Sequence, residues 1–244
     1  LMNSVRKTIS SRILYVICME VQYFGRYNAF LTVQNTSATV KISVEISESE
    51  VEIMDTNIMK RNECLAKTVI KGLESRNMSG YYAQDKEAAL KQALELIPNG
   101  STIAMGGCMS AHEIGLVKAL QDGEYNYIDR AKLEPREGLM AAYDADFFLS
   151  SANAVTDDGV LVNIDGNSNR VSCIAQGPKK VIFIVGINKV CPDLDSAMKR
   201  ARNVAATANA QRFDIKTPCK ETGKCFDCKS PDTICCQFLI TRYS

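Results

Sequence analysis

Ten cysteines occur in the 244 residues, and five of them, Cys219, Cys225, Cys228, Cys235 and Cys236, crowd into TPCKETGKCFDCKSPDTICC near the end of the chain. Read as C-x5-C-x2-C-x6-C, the spacing sets two thiolates two residues apart in a turn-rich loop, close enough to grip one ion. Cys219, Cys225, Cys228 and Cys235, or Cys236 in the last place, form a four-thiolate set whose softness suits zinc and an iron-sulfur cluster equally. The spacing is neither the paired C-x2-C of a zinc ribbon nor the C-x2-C-x2-C run of a ferredoxin. The identity of the metal therefore stays open, with reversible disulfides or unligated thiols as a third reading. Zinc would pin the tail and its terminal strand QFLITRY to the domain, whereas a cluster would put the chain on an electron path.

Two other stretches carry side chains suited to binding. GGCMSAHE, from Gly106 to Glu113, joins two glycines that let a ligand approach the backbone to a helix start where Ser110 and Glu113 stand at capping-box spacing. Unpaired N–H groups at such a start favour phosphate or carboxylate. The plainer reading is a tight strand-to-helix turn that Ser110 merely caps. Cys108 would be acidified if the helix terminus reaches it, and His112, the single histidine, reads as an exposed helix position or a participant in the site.

In NAVTDDGVLVNIDGNSNRV, Asn163, Asp165, Gly166, Asn167, Asn169 and Arg170 gather at the end of a short strand. Amides, a carboxylate and a guanidinium beyond the carboxyl end of a strand suit polyol hydroxyls, carboxylate or phosphate. Two successive Asx-type turns that satisfy their own backbone are the competing explanation. Asp157 and Asp158 read as turn formers, and Lys189 in VGINK points to the same corner or into solvent.

These residues need a scaffold, and the apolar periodicity supplies one. A helix is predicted from Asp55 or Thr56, with Ile58, Leu65, Val69 and Leu73 inward and an end near Asn77 to Gly80. A second helix, DKEAALKQALELI, opens at Asp85 and stops at Pro98-Asn99-Gly100. Then follow the strand STIAM, the glycines, the helix SAHEIGLVKAL, the strand YNYI, a helical LMAAYDA, the strands FFLSS, VLVNI and KKVIFIVG, and a long helix capped by Asp193. This alternation predicts an α/β fold with a mostly parallel sheet. Residues 1–53 differ from it: Thr32 to Ile53 alternates weakly like strands or an extended arm. Met54, just ahead of the helix, is a candidate start.

With 46% apolar and 23% charged residues the chain can bury a substantial core. A net charge of +1 offers no basic field for a phosphate backbone, so nucleic acid is excluded as the expected partner. ILYVICM, Ile13 to Met19, is stopped by Glu20 well short of the roughly 18 residues of a membrane span. The basic residues Arg6, Lys7 and Arg12 are not followed by a small-residue cleavage pattern. The expected location is cytoplasmic, in keeping with thiols gathered at one site rather than spread as disulfides.

GGCMSAHEIGL, TDDGVLVNIDGNSNRV, GPKKVIFIVGINK and TPCKETGKCFDCKSPDTIC, in that order, resemble the LUD domain family, whose members include lactate utilization proteins. The resemblance spans about residues 55–244. It implies a Rossmann-like sheet with helices on both faces, similar to the sugar-phosphate isomerase and CoA-transferase group. It also implies a part in oxidising L-lactate to pyruvate beside iron-sulfur partner subunits. Where more usual members carry serine after the paired glycines, this chain has Cys108.

The expected organisation is an extension over 1–53, a LUD-type domain over 54–216 and a Cys-rich metal-binding tail over 217–244. The expected role is to bind a small anionic metabolite in an electron-transfer assembly. Alternatives are a stand-alone isomerase or transferase on a sugar phosphate or acyl-CoA, with Asp165 or Glu113 as base, and a non-catalytic scaffold with a metal-bound tail.

Overall fold

A strand with no polar position to turn outward must bury both faces. Lys180–Gly186 does so in the computed structural model of the chain, which describes residues 13–19 and 48–244. In chain order the strands are β1 (Ile13–Met19), β2 (Ser79–Ala83), β3 (Thr102–Met105), β4 (Asn126–Tyr127), β5 (Phe147–Ser150), β6 (Ala154–Thr156), β7 (Leu161–Asp165), β8 (Lys180–Gly186), β9 (Val190–Cys191) and β10 (Gln237–Thr241). Six of them form one sheet in the order β2-β1-β8-β5-β3-β4, every neighbouring pair parallel. The other four form a smaller sheet, β10-β7-β6-β9, in which only β6 and β9 run parallel.

Alternation along the buried strands decides which helix covers which face. Ala104, Phe148, Val181, Phe183 and Val185 point to one side, against α1 (Glu48–Ser75) through Val69 and Leu73 and against α5 (Pro135–Asp144) through Ala142. Ile103, Phe147, Leu149, Ile182 and Ile184 point to the other. There they meet α2 (Lys86–Leu96), α3 (Met109–Glu113) and α4 (Leu116–Asp122). The smaller sheet is divided in the same way. Val155 and Leu161 join the first core, while Ala154, Val162 and Ile164 face Ala197 of α7 (Leu194–Arg200) and Ala201 and Ala206 of the π-helical segment that continues it. Among the described residues three further short α-helices are α6 (Val171–Ala175), α8 (Thr207–Ala210) and α9 (Pro218–Thr222). The α/β architecture, with a parallel sheet between two helical layers, is the one the sequence predicts.

Local chemistry fixes several element ends. Asp85 accepts from Ala88 N at 2.7 Å, and Asp193 from Ser196 N at 2.7 Å, capping α2 and α7 as expected. Helix α1 closes with Asn77 in the left-handed region (φ 59°) and Met78 N donating to Leu73 O at 3.0 Å. Met78 then packs into the same core as Leu73, the apolar contact that accompanies this kind of cap.

Several local expectations are corrected. Helix α1 begins at Glu48, so Asp55 and Thr56 lie inside it, and the boundary drawn at residue 54 falls within a helix. Ile58 is exposed, because the buried line runs through Asn62, Ala66, Val69 and Leu73. SGYYA is the strand β2, where a direct passage from helix to helix was expected; only Ala83 of its five residues is buried, so no apolar alternation marks it. SAHEIGLVKAL breaks at Gly115 (φ 77°) into α3 and α4. Residues 13–19, within the expected extension, are β1, hydrogen-bonded between β2 and β8. Of the weakly alternating Thr32 to Ile53 stretch, Glu48–Ile53 is helical and the rest lies outside the described residues.

Candidate functional site

Strands β3, β5 and β8 all run toward one edge of the parallel sheet, and the loops leaving their carboxyl ends meet there. Met105 passes into Gly106 and Gly107, Ser150 into Ser151 and Asn153, and Gly186 into the turn that carries Lys189. Gly106 leaves no room for a side chain: a Cβ would lie 2.9 Å from Arg170 Cγ and 2.9 Å from Phe148 Cζ. Gly107 has open space instead. Beyond the two glycines opens a cleft of about 660 Å3, walled by Asn167, Asn169, Arg130 and Arg136, with Leu133 and Leu139 as its apolar part. Arg130, Arg136, Asn167, Asn169 and the open main chain at Gly107 thus line one solvent-accessible space, with Arg130 Nη1 also donating to Met105 O at 3.4 Å, a set of residues suited to a carboxylate or phosphate.

Below the cleft lies a layer of buried polar groups that hold one another. Asp165 accepts from Asn167 N (2.9 Å), Arg170 N (3.0 Å) and Val171 N (3.1 Å), so its carboxylate shapes the loop and caps α6. Ser168 between the amides takes the left-handed conformation (φ 61°). The Arg170 guanidinium donates to Ile164 O (2.6 Å), Asn153 Oδ1 (3.1 Å) and Ser151 O (3.3 Å). Asn163 is fully buried; its Nδ2 donates to Ser151 O at 2.9 Å, while Oδ1 has no partner among the described residues. Lys189 Nζ donates to Ser151 Oγ at 2.8 Å. Burial pulls the Lys189 ammonium below its ordinary pKa, outweighing the thiol of Cys108 and the carboxylate of Glu113 nearby. Burial lowers Arg170 in the same way, against Asp165.

Four of the ten residues expected at this site, Gly106, Gly107, Asn167 and Asn169, line the cleft. Arg170, Asp165 and Asn163 stand beneath it with their polar groups largely engaged by the main chain. Gly166 faces the cysteine tail. Ser110 is buried inside α3 and Glu113 is exposed on it, and neither lines the cleft. The expected capping box is not formed, since Cys108 occupies the N-cap position and makes no side-chain cap bond. Nor is Cys108 acidified: burial pushes its thiol up to about 11, against smaller opposing effects of the Ala111 N–H and of Lys189 and Arg170. His112 is an exposed helix residue. Sequence reasoning missed Arg130 and Arg136. The one cue to them was a charged loop, DRAKLEPRE, between two predicted elements.

The tail forms a second centre. Cys219, Cys225, Cys228 and Cys235 line one cavity of about 50 Å3, together with Arg202, Phe226 and Phe238. Cys236 is exposed, and its thiol is directed at Thr233 O, 3.5 Å away. Arg202, from the π-helical segment, reaches Cys225 Sγ at 3.7 Å and pairs with Asp227 at 2.6 Å. Cys235 is pushed up to about 11, first by burial and then by the thiols of Cys225, Cys219, Cys228 and Cys236. Among the described residues no three Cys, His, Asp or Glu side chains are already drawn together as a ligand set. The donors fit a thiophilic metal by type, and four of them share one small space.

No curated protein and no solved structure matches the chain. The sequence profile of the LUD domain matches residues 66–244, from the middle of α1 through β10, and so takes in both the cleft and the cysteine tail. With nearly three quarters of its length matched, the chain belongs to the LUD domain family.

Proposed function

We propose that the cleft at the carboxyl edge of the sheet binds a small organic anion of the 2-hydroxy or 2-oxo carboxylate class. In this reading the chain is the ligand-binding component of an electron-transfer assembly in lactate utilization, the role its family is tied to. The convergence of Arg130, Arg136, Asn167, Asn169 and the Gly106–Gly107 main chain on one open cleft carries the reading. Arginine forks match a carboxylate in geometry, and the amides add donors for a neighbouring hydroxyl or carbonyl oxygen. Electrons leaving such a substrate need an acceptor, which partner subunits would provide. A stand-alone isomerase or transferase is the weaker reading, because both oxygens of Asp165 already accept backbone N–H groups and Glu113 stands outside the cleft.

The test is ligand-dependent thermal stabilisation of the full chain and of an Arg136→Ala/Asn167→Ala variant, with L-lactate, pyruvate and inorganic phosphate. A ligand present at 100 times its Kd stabilises by about 2.7 kcal/mol, which at ~2–4 °C per kcal/mol is readily seen. Stabilisation by a carboxylate that disappears in the variant is the expected result. Equal shifts in both proteins, or none with any anion, would overturn the assignment. Turnover of a sugar phosphate or acyl-CoA by the purified chain alone would favour the isomerase or transferase.

A further inference from the structure

We propose that Cys219, Cys225, Cys228 and Cys235 hold a single Zn2+ ion, and that this ion fixes the Asp165–Arg170 loop from behind. The first half stands on the tail alone; the second, insofar as it concerns ligand binding, rests on the anion-cleft reading.

Cys219, Cys225, Cys228 and Cys235 line one cavity without three of them yet being drawn together, whereas the fifth, Cys236, immediately adjacent in sequence, turns out to Thr233. The backbone is shaped for this grouping. Gly223 (φ 69°) and Asp227 (φ 53°) take left-handed turns on either side of Cys225, folding the chain back between Cys219 and Cys228. At about 50 Å3 the cavity is of a size for one ion, with thiolates closing to about 2.3 Å around it. Loading would proceed as Zn2+ + 4 Cys-SH → Zn(S-Cys)4 with charge −2, plus four protons passed to solvent; nothing is oxidised or reduced. Arg202 stands against Cys225 Sγ and sets a positive charge beside that dianion. The π-helical turn that carries Arg202 is the kind of helix irregularity that recurs at functional sites.

The tail is also the wall against which the cleft loop is built. A Cβ on Gly166 would lie 3.2 Å from Ile234 Cα and 3.3 Å from Ile234 O, so the loop and the segment beside Cys235 touch through main chain. Cys236 N donates to Asp165 O at 3.0 Å, and Gln237 opposite Asp165 begins the β10–β7 ladder. Residues 234–237 therefore brace Asp165 and Gly166, immediately before Asn167 at the cleft. An ion bound through Cys235 holds that brace in place.

Metal analysis of the full chain purified under reducing, chelator-free conditions tests the first half. One zinc per chain without a visible absorption band is expected, with loss to background in Cys225→Ser/Cys228→Ser and retention in Cys236→Ser. Release of zinc from the wild-type chain in step with mercurial modification of its thiols provides the same reading should the double variant not fold. Iron and sulfide with a coloured spectrum, zinc retained in a folded double variant, or no zinc after reconstitution would each overturn the assignment. For the second half, stripping zinc should raise amide hydrogen exchange across residues 165–170, and unchanged exchange there would overturn the brace. A zinc-loaded protein that responds to no anion would defeat the cleft reading while leaving the metal result intact.

Discussion

Lys189 holds a cation in a buried place. Its ammonium is buried beside Arg170 and Arg200, which lower its pKa further after burial itself, and its bond to Ser151 Oγ is the one hydrogen bond resolved for it. A cation whose folded pKa lies below its unfolded value of about 10.4 releases its proton earlier in the folded chain. Stability then rises with pH between those two values. Lys189→Met should raise the melting temperature near neutrality and abolish the extra stability the wild type gains on going into that alkaline window. A variant that melts lower at every pH would show that the Ser151 bond outweighs the desolvation. The sequence hinted at Lys189 only by its place after a buried strand. Arg130 and Arg136 gave no spacing cue at all, because what unites them with Asn167 is the meeting of loops from distant strands. Asn167 and Asn169 stood out as polar groups at a strand end, where Asx-type turns were the competing use, and both line the cleft.

At the scale of elements, helix α1 and the β6–β7 hairpin approach more closely than any side chain allows. A Cβ on Gly72 would fall 2.4 Å from the Asp158 carbonyl carbon, and one on Gly159 (φ 88°) 2.5 Å from Leu73 N. Alanine at a helical glycine ordinarily gains about 0.5–1 kcal/mol, but overpacking against rigid backbone costs about 1–3 kcal/mol or more. The clash wins, so Gly72→Ala should lower stability in chemical denaturation; an unchanged or higher midpoint would mean that the hairpin turn shifts freely. The elements readable in advance were those whose signals are local. Asp85 and Asp193 cap helices three residues away, and the Lys180–Gly186 strand is apolar from Val181 onward. β2 was missed because its definition is non-local: its hydrogen bonds go to β1, far upstream. The break at Gly115 was missed because SAHEIGLVKAL keeps its apolar spacing across the kink.

Across the whole molecule, carboxylates tie separate parts together and set its response to acid. The Asp158 carboxyl is held below the ordinary range by the Thr156 hydroxyl and then by Arg76, and Asp146 by Lys179 and the Thr102 N–H. Each contributes stability above its unfolded pKa of about 3.9 that is lost as pH falls through its lower folded value. Both side chains are partly solvated, and the contribution of each is correspondingly screened. The melting temperature should therefore fall as pH drops below about 4, and Asp146→Asn/Asp158→Asn should start lower and fall less over the same range. Parallel curves for the two proteins would remove these residues from the acid response. The α/β layering was legible as a whole because helix and strand periods alternate. The smaller sheet was not, because β6 and β9 are too short to show a period and β10 joins β7 across the intervening helices and the cysteine tail. No helix among the described residues is long and apolar enough to cross a membrane.

The brace behind the cleft has a further consequence for the order in which the protein is made. Gly106, Asn167 and Asn169 leave the ribosome well before Ile234 to Gln237, against which the Asp165–Gly166 corner is packed. The nascent chain can assemble its parallel sheet while the pocket is still half built. Anion binding at the proposed cleft should then follow the emergence of Gln237 to Thr241, when β10 pairs with β7.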